Sequence, residues 1–267
     1  MQVFIGTLPK SLSYKFASVD VWSICKYKSD DERKGDFMRK TKKLVIVGAG
    51  EQGEICYEYF TDDSEYEVVA FAVESQYRTQ DELRGLPIID FEDIKKFYPP
   101  DEYYTFVAVT YVKLNRPRRR LYRACKDMGY KCASYVSSHA FFWKNAEIGE
   151  NSFIFEDNTI QYHVKIGNNV VLWSGNHVGH RSVIEDDCWL TSHIVVSGFC
   201  KIGSGSFIGV NATIGDNVTI AEDVVLGAGA LTVKDLTEKA GVYVGTPAKL
   251  LEDRNAYTQF KVGDDEI

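Results

Sequence analysis

Between Ile148 and Leu226 every sixth residue is aliphatic: Ile148, Ile154, Ile160, Ile166, Leu172, Val178, Ile184, Leu190, Val196, Ile202, Ile208, Ile214, Ile220 and Leu226. The residue two earlier is often small (Ala146, Ser152, Ser182, Cys188, Cys200, Ser206, Ala212), and the one that follows is often glycine (Gly149, Gly167, Gly179, Gly203, Gly209, Gly215, Gly227). An α-helix cannot keep a six-residue period on one face, because its own period is about 3.6. A stack of hairpins has no reason to. The pattern requires a solenoid, in which each hexapeptide makes one short wall and three walls close a triangular coil. Each coil then hydrogen-bonds to the next at strand spacing, about 4.8 Å. The aliphatic residue points inward, small residues fit the corners, and glycine is expected where the corner backbone needs relief.

The rest of the chain divides around this block. Residues 1–40 show no period and end in the charged run "KSDDERKGDFMRK", which reads as a poorly ordered extension with an alternative start at Met38. Residues 41–137 alternate strand and helix: "KKLVIVGAG", "YEVVAFAVE", "YYTFVAV" and "KCASYVS" are strands, and "NRPRRRLYRACKDMGY" is a helix with Pro117 in its first turn. That alternation implies a parallel sheet. The solenoid domain spans 138–253 and a C-terminal tail spans 254–267.

A formal net charge of −7 argues against nucleic acid as a partner. Six cysteines without CxxC spacing read as small apolar residues in a reducing compartment. No apolar run reaches the roughly 18–20 residues of a membrane span, and the N-terminus is a poor signal peptide. A cytoplasmic protein is expected.

Two of the five histidines interrupt the repeat close together, at His177 and His180. His180 lies two past Val178, so it is expected outside the coil, near a turn. Residues one coil apart stack, which puts Gly198 a rung above it, about 5 Å away. An imidazole there can take a proton from an attacking amine or hydroxyl. A neighbouring amide N–H can hold the oxyanion of a thioester carbonyl. The competing reading is a solvated corner histidine. Its outward place, mid-solenoid and beside a glycine, favours the base. His177 points differently and is expected to contact substrate or make a structural hydrogen bond, whereas His163 and His193 read as turn residues.

From "KKLVIVGAGEQGE" through "GVYVGTPAKLLED", about residues 42–253, the chain resembles the bacterial sugar acyltransferases of the sialic acid O-acetyltransferase (NeuD) type, among them N-acetyltransferases for nucleotide-activated amino sugars. The resemblance implies a small Rossmann-like domain holding a nucleotide-sugar, a left-handed β-helix binding acetyl-CoA as cosubstrate, and a homotrimer with active sites between subunits. The family's "V-x-H-(D/E)-x-x-I-G" matches "VGHRSVIE", with the catalytic histidine on His180 and the glycine facing the acetyl group on Gly198. Contacts to CoA fall on Gly198, Ala228, Pro247 and Lys249, the last two in the closing "GVYVGTPAK". Arg181 stands where the family has a carboxylate. Trp189 stands where a second histidine is frequent, which suggests an altered acyl or acceptor pocket. Sialic-acid-type O-acetylation, a non-catalytic scaffold and a zinc carbonic anhydrase-like solenoid remain alternatives. The last needs three converging histidines.

"GAGEQG" fits G-x-G-x-x-G at Gly48, Gly50 and Gly53, between a strand and a helix, with Gln52 inside it and Glu74 ending the next strand. A dinucleotide site uses two mononucleotide halves, and the sequence before the solenoid has room for one. One half suits a nucleotide-sugar. Arg116, Arg118, Arg119, Arg120 and Arg123 read mainly as a solvated basic face, of which one or two could meet a diphosphate. The function expected is acetyl transfer from acetyl-CoA to an amino or hydroxyl group of a nucleotide-activated sugar, by direct attack.

Overall fold

The computed structural model describes residues 39–267. The expected extension, and with it the possible start at Met38, lies almost wholly outside the described residues. Residues 42–132 build a twisted sheet: β1 (Lys42–Val47), α1 (Glu51–Asp62), β2 (Tyr66–Val73), β3 (Glu82–Leu83), β4 (Leu86–Asp90), α2 (Ile94–Phe97), β5 (Tyr103–Val107), α3 (Arg116–Asp127) and β6 (Lys131–Cys132). The strand order is β3-β4-β2-β1-β5-β6, parallel except for the β3–β4 edge pair. The chain winds outward from β1 through β2 to β4, then returns to add β5 on the other side. That reversal creates a switch point at the carboxyl ends of β1 and β5, where ligands bind in open α/β sheets. The expected strand "KCASYVS" is in fact two: Lys131–Cys132 belongs to this sheet, and Tyr135–Val136 is the first rung of the solenoid, three residues before the expected boundary at 138.

The solenoid is a left-handed parallel β-helix of two-residue strands on three faces. Its register is fixed: His177 pairs with Val195 and Val178 with Val196, eighteen residues apart, and the other coils repeat that offset. The aliphatic residues of the sixfold repeat, all buried but the half-buried Ile148, line the coil axis together with the residue two before each, such as Val164, Ile194 and Val224. Where that earlier position is serine, the buried hydroxyl is satisfied: Ser182 Oγ donates to the Ser197 carbonyl (2.8 Å) and accepts from the Cys200 amide (3.0 Å).

The glycines after the aliphatic residues have a different cause from the one expected. None has positive φ. A Cβ on Gly179 would stand 2.5 Å from the Ser197 backbone, and one on Gly203 2.6 Å from the Ala221 backbone. They are glycine because successive coils touch there. The strained corner backbone sits two residues later: every sixth residue from Asn151 to Gly229 has positive φ. Asn, Asp and Gly fill most of these places, as left-handed backbone prefers. The exceptions are His163, Arg181, His193 and Phe199.

The outward residue of each strand tells which face is covered. On the first face these are Tyr135, Phe153, Val171, Trp189, Phe207 and Val225, all buried except the half-buried Phe207, and the first four pack with Leu44, Phe60, Phe71 and Phe106 under the sheet domain. The corner beside this face carries a polar ladder, Asn151 Nδ2 to Asn169 Oδ1 (2.7 Å) and Asn169 Nδ2 to Asp187 Oδ1 (2.6 Å). The arginines of α3 plug into it. Arg119 Nε donates to Asp187 Oδ2 (2.6 Å), Arg116 holds Asp223 with two bonds of 2.9 Å, and buried Arg118 donates to the Val107 and Asn151 carbonyls. These three are therefore structural clamps, contrary to the solvated or diphosphate-binding roles expected. Arg120 pairs with Glu74 instead. The expected tail is also docked: a charged strand, Lys249–Asn255, crosses the boundary at 253, and α4 (Ala256–Phe260) buries Ala256 and sends Tyr257 Oη to Asp223 (2.7 Å).

Burial works to raise the Asp223 carboxyl, but hydrogen bonds from Arg116 and Tyr257 outweigh it and hold the group below the usual carboxylate value. A depressed folded-state value means stability that is fully present above the unfolded carboxylate pKa, about 3.9, and lost as pH falls through the folded value. Arg116→Ala is expected to cost about 3 kcal/mol or more at pH 7, because it leaves Asp223 buried and unpaired. Asp223→Asn should flatten the acid-side loss of the urea midpoint. An unchanged acid profile in Asp223→Asn counts against the clamp.

Candidate active site

His180 stands on the corner joining the second and third faces, between the strands His177–Val178 and Val183–Ile184. Its ring is exposed and lies over Gly198 one coil on: a Cβ there would come within 2.6 Å of Cε1 and 2.9 Å of Nε2. Phe199 closes the other side edge-on, ring centres 5.0 Å apart and planes at 82°. The His180 backbone is held at both ends, its N–H by Gln161 Oε1 (3.0 Å) and its carbonyl by the Phe199 N–H (2.9 Å). Among the described residues no carboxylate hydrogen-bonds the imidazole. Arg181 turns away and lies over the Tyr162 ring (5.5 Å). Apolar and steric contacts thus orient the ring where the family pattern uses a carboxylate.

Three of the four departures from the backbone rule, His163, Arg181 and Phe199, fall on this corner, and His193 falls on the one between the first and second faces. Arg181 (φ 59°) and Phe199 (φ 57°) hold left-handed conformations that Asn or Gly would adopt more easily. Strain of that kind is retained where a site requires particular side chains. The sequence carries this signal, since both interrupt the Asn/Asp/Gly period.

The other expected residues are dispersed. The Gly198 amide, expected to face an oxyanion, donates to Asp216 Oδ1 (2.9 Å), so in this structure Gly198 serves as a flat seat for the imidazole. His177 projects from the second face, half-buried, between Thr159 and Val195. Trp189 belongs to the first face, is 1 % exposed and packs edge-on against Tyr111 at 5.4 Å, which separates it from any pocket at His180. Ala228 is exposed at the corner between the first and second faces, the opposite edge of the face that carries His177. Pro247 and Lys249 are exposed at the end of the coil, with a cis bond at Thr246–Pro247. His163 packs on Tyr162, and His193 over Gly175. Among the described residues no three His, Cys, Asp or Glu side chains converge as metal ligands. Burial raises the five described thiols, Cys56 and Cys125 to about 12, so none is poised as a nucleophile.

A separate cavity of about 390 Å³ opens at the sheet's switch point, lined by Gly48, Glu74, Tyr77, Lys113, Arg120 and Glu266 among others. Gly48 must be glycine: φ is +117° and a Cβ would strike the Ala108 carbonyl at 2.6 Å. Gly53 must be too, since its Cβ would lie 2.3 Å from the Gly48 carbonyl. Gly50 caps α1 with nothing within 4 Å of its Cβ position, so no protein atom accounts for it. Gln52, expected to meet substrate, is buried instead and donates to Cys56 Sγ (3.6 Å).

Residues 199–232 match the family described as bacterial transferase hexapeptide (six repeats). The match falls within the sixfold repeat and covers its later coils. Among solved structures the chain is similar to the perosamine N-acetyltransferase of Caulobacter crescentus in complex with CoA and GDP-perosamine, at 24% identity and a TM-score of 0.70, over 79% of this chain and 97% of that one. It is similar to the acetyltransferase domain of PglB from Neisseria gonorrhoeae in complex with acetyl coenzyme A, at 26% identity and 0.69, over 79% and 100%. WeeI from Acinetobacter baumannii follows at 22% and 0.66, over 79% and 100%. The chain shares their fold, sheet domain and solenoid alike.

If Gly198 seats the imidazole, Gly198→Ala should displace the ring and lower turnover by about 10², the loss a misplacement of about 1 Å brings. Coil stability should fall little, because the atoms nearest the added methyl belong to the exposed His180 side chain. Thiol-release kinetics with matched urea curves make the check, and wild-type turnover in Gly198→Ala would remove the seat.

Proposed function

We propose that the protein is an acetyl-CoA-dependent acetyltransferase that acetylates an amino group on a nucleotide-activated sugar, with His180 as general base. The observation that supports this most is the His180 ring, exposed and held between Gly198 and Phe199 on a strained solenoid corner. The likeness to the PglB acetyltransferase domain, solved with acetyl coenzyme A, supports the donor. The cavity at the sheet's switch point, lined by Gly48 with its positive φ and by the Arg120 and Lys113 cations, supports a nucleotide-bearing acceptor.

The acceptor nitrogen attacks the thioester carbonyl directly and forms the C–N bond. His180 takes the proton that the nitrogen sheds, the C–S bond breaks, and the proton passes to the departing CoA thiolate. His180→Ala should lower kcat by at least about 10², the usual size of a general-base contribution, and leave acetyl-CoA binding intact. His177→Ala should cost less. The cheap test is thiol release from acetyl-CoA with a panel of nucleotide-linked amino sugars and their hydroxyl counterparts. Release with none of them, or full activity in His180→Ala, would overturn the reading.

We further propose that the working unit is a homotrimer, with CoA lying between the solenoids of two subunits. Ala228 and His180 sit on opposite edges of the second face, so one subunit does not bring them together. That face and its edges expose Phe141, Trp143, Tyr162, Val195, Phe199 and Val210, an apolar surface suited to burial against another copy. Light scattering at micromolar concentration should give three times the chain mass. An active monomer would refute it.

A further inference from the structure

The loop entering α3 contains three consecutive non-glycine residues in the left-handed region: Lys113 (φ 48°), Leu114 (φ 49°) and Asn115 (φ 63°). Each left-handed residue of this kind costs roughly 1–2 kcal/mol, so the run persists only because its surroundings impose it. Leu114 is fully buried with Val225, Val242 and Ala256, and Asn115 Nδ2 donates to the Asp187 carbonyl (2.8 Å). Lys113 has no such reason to be there. It is half exposed, and its ammonium reaches Glu266, donating to Oε1 (3.1 Å) and Oε2 (3.0 Å) at the wall of the switch-point cavity.

The charges that line this cavity fall into two pairs, Arg120 with Glu74 and Lys113 with Glu266. The first turn of α1 carries Glu51 and Glu54, which oppose the positive end of the helix. A diphosphate entering here therefore needs a cation. The Arg120–Glu74 pair is bidentate, at 3.0 and 2.8 Å. The Lys113–Glu266 pair is an exposed lysine–carboxylate contact, a type worth at most about 1 kcal/mol, and it joins the cavity to the last residues of the chain. It is the pair a ligand can exchange.

We propose that Lys113 is the phosphate-binding, specificity-determining cation of the acceptor cavity, and that Glu266 occupies the place of the acceptor's diphosphate until the acceptor displaces it. The inference rests on the nucleotide-sugar reading given above and adds to it a named contact and a built-in competitor. The C-terminal segment is fitted to that role. Arg116 Nε holds the Glu266 carbonyl (2.9 Å), Phe260 packs on Phe207 (5.4 Å) and Val262 packs against the same buried cluster as Leu114. The segment is thus anchored by its backbone and apolar residues, and the Glu266 carboxylate, held by Lys113 and by the Gly263 N–H (2.9 Å), is the group that exchanges.

The test is calorimetric titration of the full chain with UDP, dTDP and GDP, and with the matching nucleosides. Glu266→Gln keeps the carbonyl contact to Arg116 and removes the competing charge, so it should bind its preferred diphosphate several-fold more tightly. Lys113→Asn should bind that diphosphate about tenfold more weakly, the scale of one hydrogen bond to a charged group, with nucleoside binding unchanged. Because Asn tolerates left-handed backbone better than Lys, the same variant should also unfold at a higher temperature. Stabilisation together with lost diphosphate binding separates a binding role from a structural one. Equal diphosphate affinity in wild type and Glu266→Gln, or in wild type and Lys113→Asn, overturns the proposal while the acceptor reading stands. No binding of any diphosphate by wild type or either variant overturns both.

Discussion

The eighteen-residue register of the solenoid is the constraint on which the other features hang. It places a wall residue over its counterpart in the next coil, so an aliphatic inward side chain recurs along the axis and the same left-handed corner backbone recurs along each edge. A chemical group can then be set on one corner and its seat on the corner above, without any helix or loop to orient either. His180 over Gly198 is such a pair. The same register makes the corner backbone uniform, which is why Arg181 and Phe199 stand out as departures that the fold tolerates only locally.

A second constraint joins the two halves. The Asn151–Asn169–Asp187 ladder presents buried acceptors along one edge, and α3 meets them with Arg116, Arg118 and Arg119. Charges buried in this way add little net stability compared with apolar packing, but they penalise every misaligned arrangement, because a mispaired arginine or carboxylate would be left without a partner. The aromatic first face could slide; the ionic edge cannot. The orientation of the cavity relative to the solenoid follows from that edge.

The solenoid and the parallel sheet were legible because both announce themselves as periods. The covered face was legible too, and went unread: the residue before the aliphatic position is Phe153, Val171, Trp189, Phe207 and Val225 at every third hexapeptide, apolar where a solvated wall would be polar. Trp189 stands in that series, which puts it on the covered face and away from any pocket at His180. The arginine clamps leave no local signal for another reason. The partners of Arg116 and Arg119 are Asp223 and Asp187, 107 and 68 residues away, and no local pattern links them. At the candidate site the sequence placed His180 beside Gly198, but it could not say that Asp216 takes the Gly198 amide, since hydrogen bonding between coils depends on side-chain direction. The Lys113–Glu266 pair is invisible for the same reason as the clamps, its members standing 153 residues apart.

The manner in which the coil stops has a consequence for the molecule's behaviour at high concentration. A parallel solenoid presents, at its last turn, three rows of unpaired amides and carbonyls, a template on which another chain can add. Here each row is filled by the chain itself. Leu236 bridges the last strand of the third face, the segment Gly245–Ala248 hydrogen-bonds Leu231 on the second, and on the first face Gly241–Val244 is followed by an antiparallel strand, Lys249–Asn255. That final strand reverses direction and carries Lys249, Glu252, Asp253 and Arg254, so its outer edge is charged and out of phase with the coils beneath. The same geometry that repeats so readily within the chain is thereby denied a way to continue from one molecule into the next, and end-to-end fibre growth is blocked at its seed.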